Sequence, residues 1–343
     1  MCVPVGSDGS PAGYQRTLAT LRSVLEHTDP SIPLLIAGPA TQVKRVLENP
    51  PESKDWPKNL NALVLPPDTS ETETVNAAID ASFPADVVLV TGVEVTNDWL
   101  PRLQAAALSD STVASATPLS LGVGGVDLLG DPKLLSLAQI EHSIDKAPVE
   151  SPETSVSLAE LAEMVAKQSR RLWPRVATIG PGCAYIRRTA LELVGPLRKS
   201  VPLEEALLEL AIEAISKGMV HAAADDVLVA GQGARTSAAT AQEVAAHSIA
   251  QESPASSIAQ HVRETVADDE HGRLRRAMDI SRIALRPLSV TIDGRSLTST
   301  VGGTQTYILQ LITALAQNGG VSLRVLVPHD LSERAQSTLG ALS

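Results

Sequence analysis

Aromatic residues make up only 2% of this 343-residue sequence: three Trp, three Tyr and one Phe. So few rings leave little for stacking bases or sugars, which counts against a nucleic-acid groove or a lectin-like cleft. The core must instead be built from Ala, Leu, Val and Ile. Cysteine is almost as scarce. Cys2 and Cys183 stand alone without CxxC spacing, so neither a disulfide framework nor a structural zinc is expected, and both read as buried thiols in a reducing compartment. No apolar run approaches the roughly 20 residues that a spanning helix needs, so no integral membrane segment is expected. The opening MCVPVGSDG has neither the basic start nor the apolar stretch of a secretory signal, and the expected location is cytoplasmic. Positive charge is also in deficit. With 28 Lys and Arg against 39 Asp and Glu, the formal net charge is -11 and the pI is near 5.1. The average field therefore repels nucleic acid and anionic membranes, although a local basic pocket and a peripheral membrane contact stay open.

What the sequence does contain is globular. Hydrophobic residues make up 43% and mean hydropathy is +0.07, enough for a sizeable core and, at this length, for two domains. From Cys2 to about Pro118, short β-branched runs alternate with stretches of helical spacing. Strands are expected at Cys2-Val5, Pro33-Ala37, Ala62-Leu65, Asp86-Val90 and Val113-Ala116. Helices are expected at Tyr14-Leu25, Thr41-Leu47, Glu73-Ala81 and Asp98-Leu108. This is the grammar of βαβ units in a mostly parallel, Rossmann-type α/β sandwich. A run such as Val87-Val88-Leu89-Val90 wants both faces covered.

Beyond Ser120 the texture changes to Gly122-Val123-Gly124-Gly125 and two helical candidates, Lys133-Ile144 and Val156-Gln168. A strand at Ala177-Ile186, a helix at Leu203-Lys217 and a strand at Val220-Val229 follow. Residues 1–233 read as one domain. Residues 234–286, rich in Ala, Ser, Gln, Glu and Arg, read as a helical linker. The βαβ pattern restarts over 287–343, with strand Val290-Ile292, a Gly302-Gly303 loop, helix Tyr307-Ala316, strand Val321-Val327 and a helix from near Ser332. About fifty residues are too few for a doubly wound domain of typical size, so this stretch is expected to be the opening part of a larger one. No strand is followed by GxGxxG, which disfavours a dinucleotide-dependent dehydrogenase.

Three ordered stretches of residues 1–233 carry a resemblance. They are Val3-Pro4-Val5 running into Arg22-Ser23-Val24-Leu25-Glu26-His27-Thr28; Asp86-Val87-Val88-Leu89-Val90 through Glu94 to Asp98-Trp99-Leu100; and Gly180-Pro181-Gly182-Cys183-Ala184-Tyr185-Ile186-Arg187-Arg188 continuing to Leu193-Val194-Gly195. Together they resemble the family 2 glycosyltransferases, which have the GT-A fold. Val290-Thr291-Ile292-Asp293-Gly294-Arg295, Gly302-Gly303-Thr304-Gln305 and Leu309-Gln310-Leu311-Ile312-Thr313-Ala314-Leu315 resemble the start of a family 4, GT-B-type glycosyltransferase. The resemblance implies transfer of a sugar from a nucleotide-diphosphate donor to a glycan or lipid-linked acceptor, in bacterial cell-surface polysaccharide synthesis.

Such chemistry needs a metal-binding acidic turn, contacts to the nucleotide and a general base. The resemblance places the nucleotide sugar against Pro4, Val5, Gly38, Asn76, Thr91 and Gly182. It makes Glu94 the candidate ligand for Mg²⁺ or Mn²⁺, and Glu204 and Glu205 the candidate bases. Several family features are missing. The turn Thr91-Gly92-Val93-Glu94 keeps one acid. The second strand ends Ile36-Ala37-Gly38-Pro39 without the nucleoside-reading acids, and Val75 stands where the family carries a phosphate-binding Arg before Asn76. A domain so depleted also fits a binding or scaffold module for an attached GT-B unit. Glu204 and Glu205 equally suit the first turn of a helix, where the dipole favours acids. His27 and His221 lack a partner at ligand or triad spacing and read as exposed or capped. Gly302, Gly303 and Thr304 open a helix after a strand, where free N–H groups can receive a phosphate or an acceptor hydroxyl.

Overall fold

The computed structural model describes residues 1–5, 10–49, 56–121, 126–127, 157–231, 272–285, 288–298, 302–317 and 321–342. They fall into two compact units, Met1–Met278 and Asp279–Ser343. The Gly122-Gly125 stretch, the helix expected at Lys133-Ile144 and most of the expected linker lie outside the described residues.

Unit 1 opens with β1 (Cys2–Pro4), α1 (Pro11–His27), β2 (Leu34–Pro39), α2 (Ala40–Glu48), β3 (Leu60–Leu65), α3 (Glu71–Ala81) and β4 (Val87–Val90). Local chemistry starts the helices. Ser10 accepts from the Gly13 N–H at 2.9 Å, ahead of a first-turn proline in α1. Ser70 and Glu73 form a reciprocal capping box on α3. The next elements are β5 (Val93–Glu94), α4 (Trp99–Ala107), β6 (Val113–Leu121), β7 (Val126–Asp127), α5 (Leu158–Gln168), β8 (Arg175–Val176), β9 (Cys183–Ile186), α6 (Arg188–Val194), α7 (Leu203–Ser216) and β10 (Val220–Gly231). Helix α8 (Arg273–Leu285) follows, and the boundary between the two units, at Met278–Asp279, falls within it.

The main path of the sheet runs β3-β2-β1-β4-β9-β6-β10-β5. Strands β3, β2, β1 and β4 are parallel. Strand β9 is antiparallel to both neighbours, and β6 and β10 are parallel to each other. This is the α/β sandwich that the alternating pattern predicts. Side chains leave the sheet alternately on two faces. Val3, Val5, Ile36, Val88 and Val90 join Leu21, Val43, Trp99 and Leu103 in one core. Cys2, Ala37, Val87 and Leu89 join Val75, Ala78, Leu207 and Leu210 in the other. Each large aliphatic side chain so buried contributes roughly 1.5–3 kcal/mol.

One expected element is corrected. Of the strand predicted over Ala177-Ile186, only Cys183–Ile186 is strand (β9); β8 lies just ahead of the predicted span, and the residues between the two strands, 177–182, include Gly180-Pro181-Gly182. A Cβ on Gly180 would stand 2.5 Å from the Thr117 Cγ2, and the Gly180 N–H donates to Thr117 Oγ1 at 3.0 Å. The turn is therefore pressed against β6, and Pro181 has no N–H to continue a ladder.

Unit 2 contains β11 (Leu288–Asp293), α9 (Gly303–Gln317), β12 (Val321–Leu326) and α10 (Glu333–Gly340). Its two strands are parallel, and Leu297, Leu309, Ile312 and Ala335 form its core. Buried Gln305 donates from Nε2 to Thr298 O at 3.0 Å and to the Ser332 hydroxyl, the cap of α10. Gly303 is the first residue of α9, and Gly302, Gly303 and Thr304 are exposed.

Candidate functional site

The C-terminal ends of the parallel strands gather many of the candidate residues. Val5 follows β1, Gly38 lies near the end of β2 and Thr91 follows β4. Gly38 is a close-approach position, because a Cβ there would meet Val5 O at 2.8 Å and Val5 Cβ at 3.1 Å. The Thr91 N–H donates to Gly182 O at 2.8 Å, which ties the turn after β4 to the turn before β9. The chain then enters β5, where Glu94 faces Ala230 and Val93 faces Gly231. Glu94 is half-buried. Pro4, Val5, Gly38 and Gly182 are buried, and Thr91 is half-buried.

Asn76 is committed elsewhere. It is buried, its Nδ2 donates to Leu197 O at 2.8 Å and its Oδ1 accepts from Leu197 N at 2.9 Å. The side chain locks α3 to the segment before α7. Its neighbour Thr72 does the same, donating to Val201 O at 2.8 Å. Since α3 starts just beyond the C-terminal end of β3, this bond holds the start of α7 on the same side of the sheet. Glu204 is exposed in the first turn of α7. Glu205 and the half-buried Glu209 share the Arg198 guanidinium, the former at 3.3 Å. Burial pushes the Glu209 carboxyl up, and Arg198 opposes this.

The residues around β10 carry less expected features. His221 is 1% exposed; its Nδ1 lies 2.7 Å from Ser115 Oγ and its Nε2 lies 3.0 Å from Ala211 O. The reading of an exposed or capped histidine is corrected for His221 as to exposure, since it is buried with both ring nitrogens in contact with the fold. The partners come from β6, more than a hundred residues away in sequence, and from the nearby α7. His27 stays partly exposed with its Nδ1 2.7 Å from Asn97 Oδ1.

Beyond Ala224, β10 leaves register. Ala224 pairs with Pro118, but the next pair is Leu228 with Leu119, so Asp225, Asp226 and Val227 bulge out of the ladder. Both acids are buried. Asp225 accepts from Ser169 Oγ at 3.0 Å, Leu172 N at 3.2 Å and Trp173 N at 3.1 Å. Within the segment it holds, Arg171 has φ 50° and Trp173 has φ 39°. Non-glycine residues in this region cost about 1–3 kcal/mol each and persist only where the surroundings over-determine them; here the Asp225 carboxylate does so. Asp226 makes an ion pair with Arg171, Oδ2 to Nε, at 3.1 Å. Its Oδ1 is buried without a hydrogen-bond partner, as is the Trp173 indole Nε1. Burial pushes the Asp226 carboxyl above the usual carboxylate range; Asp225 adds to the rise, while Arg171 and Arg102 oppose it. Two acids inside an otherwise apolar strand, with Arg170-Arg171 upstream, were the sequence signal for this arrangement.

Among the described residues no group of three or more His, Cys, Asp or Glu is placed to hold a metal ion. Glu94 is the one carboxylate at the turn after β4, and a single carboxylate is a poor donor set for Mg²⁺ or Mn²⁺. No described helix is long and apolar enough to cross a membrane.

No protein-family model matches the chain, and no curated protein matches it either. Among solved structures, the chain is similar to the crystal structure of GalNAc-T7 with UDP, GalNAc and Mn²⁺, at 14% identity and a TM-score of 0.42. The likeness covers 67% of this chain and 43% of that one.

Proposed function

We propose that unit 1 is a glycosyltransferase domain that binds a nucleotide-diphosphate sugar at the C-terminal edge of its parallel strands. The sugar would pass to a glycan or lipid-linked acceptor of a bacterial surface polysaccharide. The observation that carries this reading is the Thr91-to-Gly182 bond together with the Glu94–Ala230 pairing. The first contact brings two separate stretches of the resemblance, far apart in sequence, onto one edge, and the second sets the end of β10 beside them. Ligands of open α/β sheets bind outside the carboxyl ends of the strands.

In this reading the backbone at Val5, Gly38 and Thr91 lines the donor, with Glu94 on its acceptor side. Glu204, exposed at the start of α7, takes the proton of the acceptor hydroxyl as that oxygen attacks the sugar's anomeric carbon and the bond to the diphosphate breaks. Glu205, held by Arg198, is the second candidate. Asn76 has no part in donor binding, because its amide is held by Leu197. The donor set around Glu94 does not by itself fit a protein-held metal, and no step is assigned to one.

A second reading, a binding module without turnover, is favoured by the engagement of both Asn76 and Glu205 in contacts within the fold. Titrating the full chain with UDP, GDP and dTDP sugars, with and without Mn²⁺, tests the first. Binding by none at millimolar concentration sinks it. If one binds and turns over, Glu204→Gln and Glu205→Gln should between them abolish turnover and spare affinity. Binding without turnover in the wild type selects the module.

A further inference from the structure

Departure of a nucleoside diphosphate leaves two phosphates' charge to be met, and the chain's net charge of -11 makes the average field hostile to it. The helix position where a phosphate-binding cation would be expected holds Val75, 1% exposed and packed in the core. Glu94 adds negative charge. A cation must come from elsewhere if the edge is to hold a diphosphate at all.

The segment Ser169 to Pro174 supplies one. Arg171 extends from a left-handed backbone held in place by the bonds that the Leu172 and Trp173 N–H groups donate to Asp225. Its Nε is paired with Asp226, whose side chain is 3% exposed, while the Arg171 side chain keeps 64% of its surface exposed. An ordinary surface ion pair between two mobile side chains needs neither a strained main chain nor a buried partner. This guanidinium is fixed at its inner nitrogen and open to solvent beyond it, which is how an arginine is prepared for a planar, two-point anion contact. The unpartnered Asp226 Oδ1 shows that the carboxylate is not placed there for its own satisfaction.

Register places this segment at the proposed donor edge. Tyr185 pairs with both Val88 and Ala116, so Pro118, two residues on, is level with Val90 at the end of β4. Ala224 is the partner of Pro118, which sets Asp225 and Asp226 level with Thr91. Four residues beyond Asp226, Ala230 pairs with Glu94, a span of at most about 13 Å along an extended strand. Arginine reach and the length of a diphosphate close much of that distance.

We propose that Arg171 is the diphosphate-binding cation of this site, with Asp226 as the residue that positions it and Asp225 as the clamp on its loop. This rests on the reading of the edge as a nucleotide-sugar site. The chemistry recognised is a vicinal pair of phosphates, so inorganic pyrophosphate is the probe, alongside UDP, GDP and dTDP.

Calorimetric titration of the full chain is expected to show folded Arg171→Gln binding pyrophosphate, and whichever nucleotide binds, at least tenfold more weakly than wild type, with a lower melting temperature because the buried Asp226 carboxylate loses its partner. Arg170→Gln, at the exposed neighbouring arginine, should stay within twofold. Asp226→Asn should weaken binding several-fold, and that loss should vanish in the Arg171→Gln background, a coupling that a purely structural role would not produce. Should Arg171→Gln fold poorly, Arg171→Lys keeps the charge without the fork and is expected to lose most of the affinity. Nucleotide bound equally by wild type and both Arg171 variants overturns this inference and leaves the proposed function standing. Arg171-dependent binding of pyrophosphate without any nucleotide supports the anion contact and sinks the nucleotide-sugar reading. A wild type that binds neither probe overturns both.

Discussion

Replacing Asn76 by alanine separates a packing role from a ligand role at one residue. The side chain is 5% exposed and makes two reciprocal bonds to the Leu197 peptide, at 2.8 and 2.9 Å. Each bond contributes a net ~0.5–1.5 kcal/mol, and a buried N–H or C=O left without a partner costs about 1–3 kcal/mol. Truncation strands both groups of Leu197, although a water entering the vacated space recovers part of the loss. The expected destabilisation is about 3 kcal/mol, at roughly 2–4 °C per kcal/mol for a domain of this size. Urea unfolding followed by far-ultraviolet circular dichroism should show the midpoint fall with the slope unchanged. Nucleotide affinity of the folded variant should match wild type. A change in stability below about 0.5 kcal/mol, accompanied by a loss of nucleotide affinity, would return Asn76 to the donor site.

Other consequences are as direct. Gly38→Ala puts a methyl 2.8 Å from Val5 O; overpacking of this kind costs about 1–3 kcal/mol, and urea titration should register it as a lower midpoint. Burial pushes the Cys2 thiol up to about 12, and Cys183 is shifted the same way. Neither should react with a thiol reagent at pH 8 until denaturant is added, and rapid native labelling of either contradicts the core assignment. Tyr185, 5% exposed and donating to Asp86 Oδ2 at 2.7 Å, is raised to about 12 by burial and by that bond. The folded phenol holds its proton more tightly than the unfolded one, so its stabilisation is full below about pH 10 and is lost as pH rises through about 12. Urea midpoints of wild type should therefore drop between these values more steeply than those of Tyr185→Phe. Parallel profiles would remove Tyr185 as the cause.

Strands such as Val87–Val90 were legible because a continuous apolar run demands cover on both faces, and α3 because Ser70 and Glu73 announce its start. Strand β5 was not, since two residues carry no period and their pairing partner Ala230 lies far along the chain. Helix α6 escaped because seven residues barely exceed one apolar repeat. Its first residue, Arg188, is held by Asp86 Oδ1 at the backbone and by Ala85 O and Ile79 O at the guanidinium. The gathering of Val5, Gly38 and Thr91 at one edge follows from the parallel βαβ pattern, whereas Gly182 joins them only because β9 runs antiparallel beside β4. What periodicity could not reveal was which polar side chains the fold had already engaged. Asn76 and His221 are tied by bonds to residues more than a hundred positions away or on another element, and the bulge at Asp225–Val227 breaks a strand whose sequence reads as continuous.

Amide hydrogen exchange of the full chain, with and without a saturating UDP, GDP or dTDP sugar and Mn²⁺, reads out directly whether a nucleotide sugar is held at the C-terminal edge of the sheet. Exchange should slow in the peptides that carry Thr91 to Val95, Gly180 to Cys183 and Ser169 to Trp173, with the peptide around Asn76 unchanged. Slowed exchange confined to segments away from that edge, or none at all with a bound sugar nucleotide, would contradict that placement.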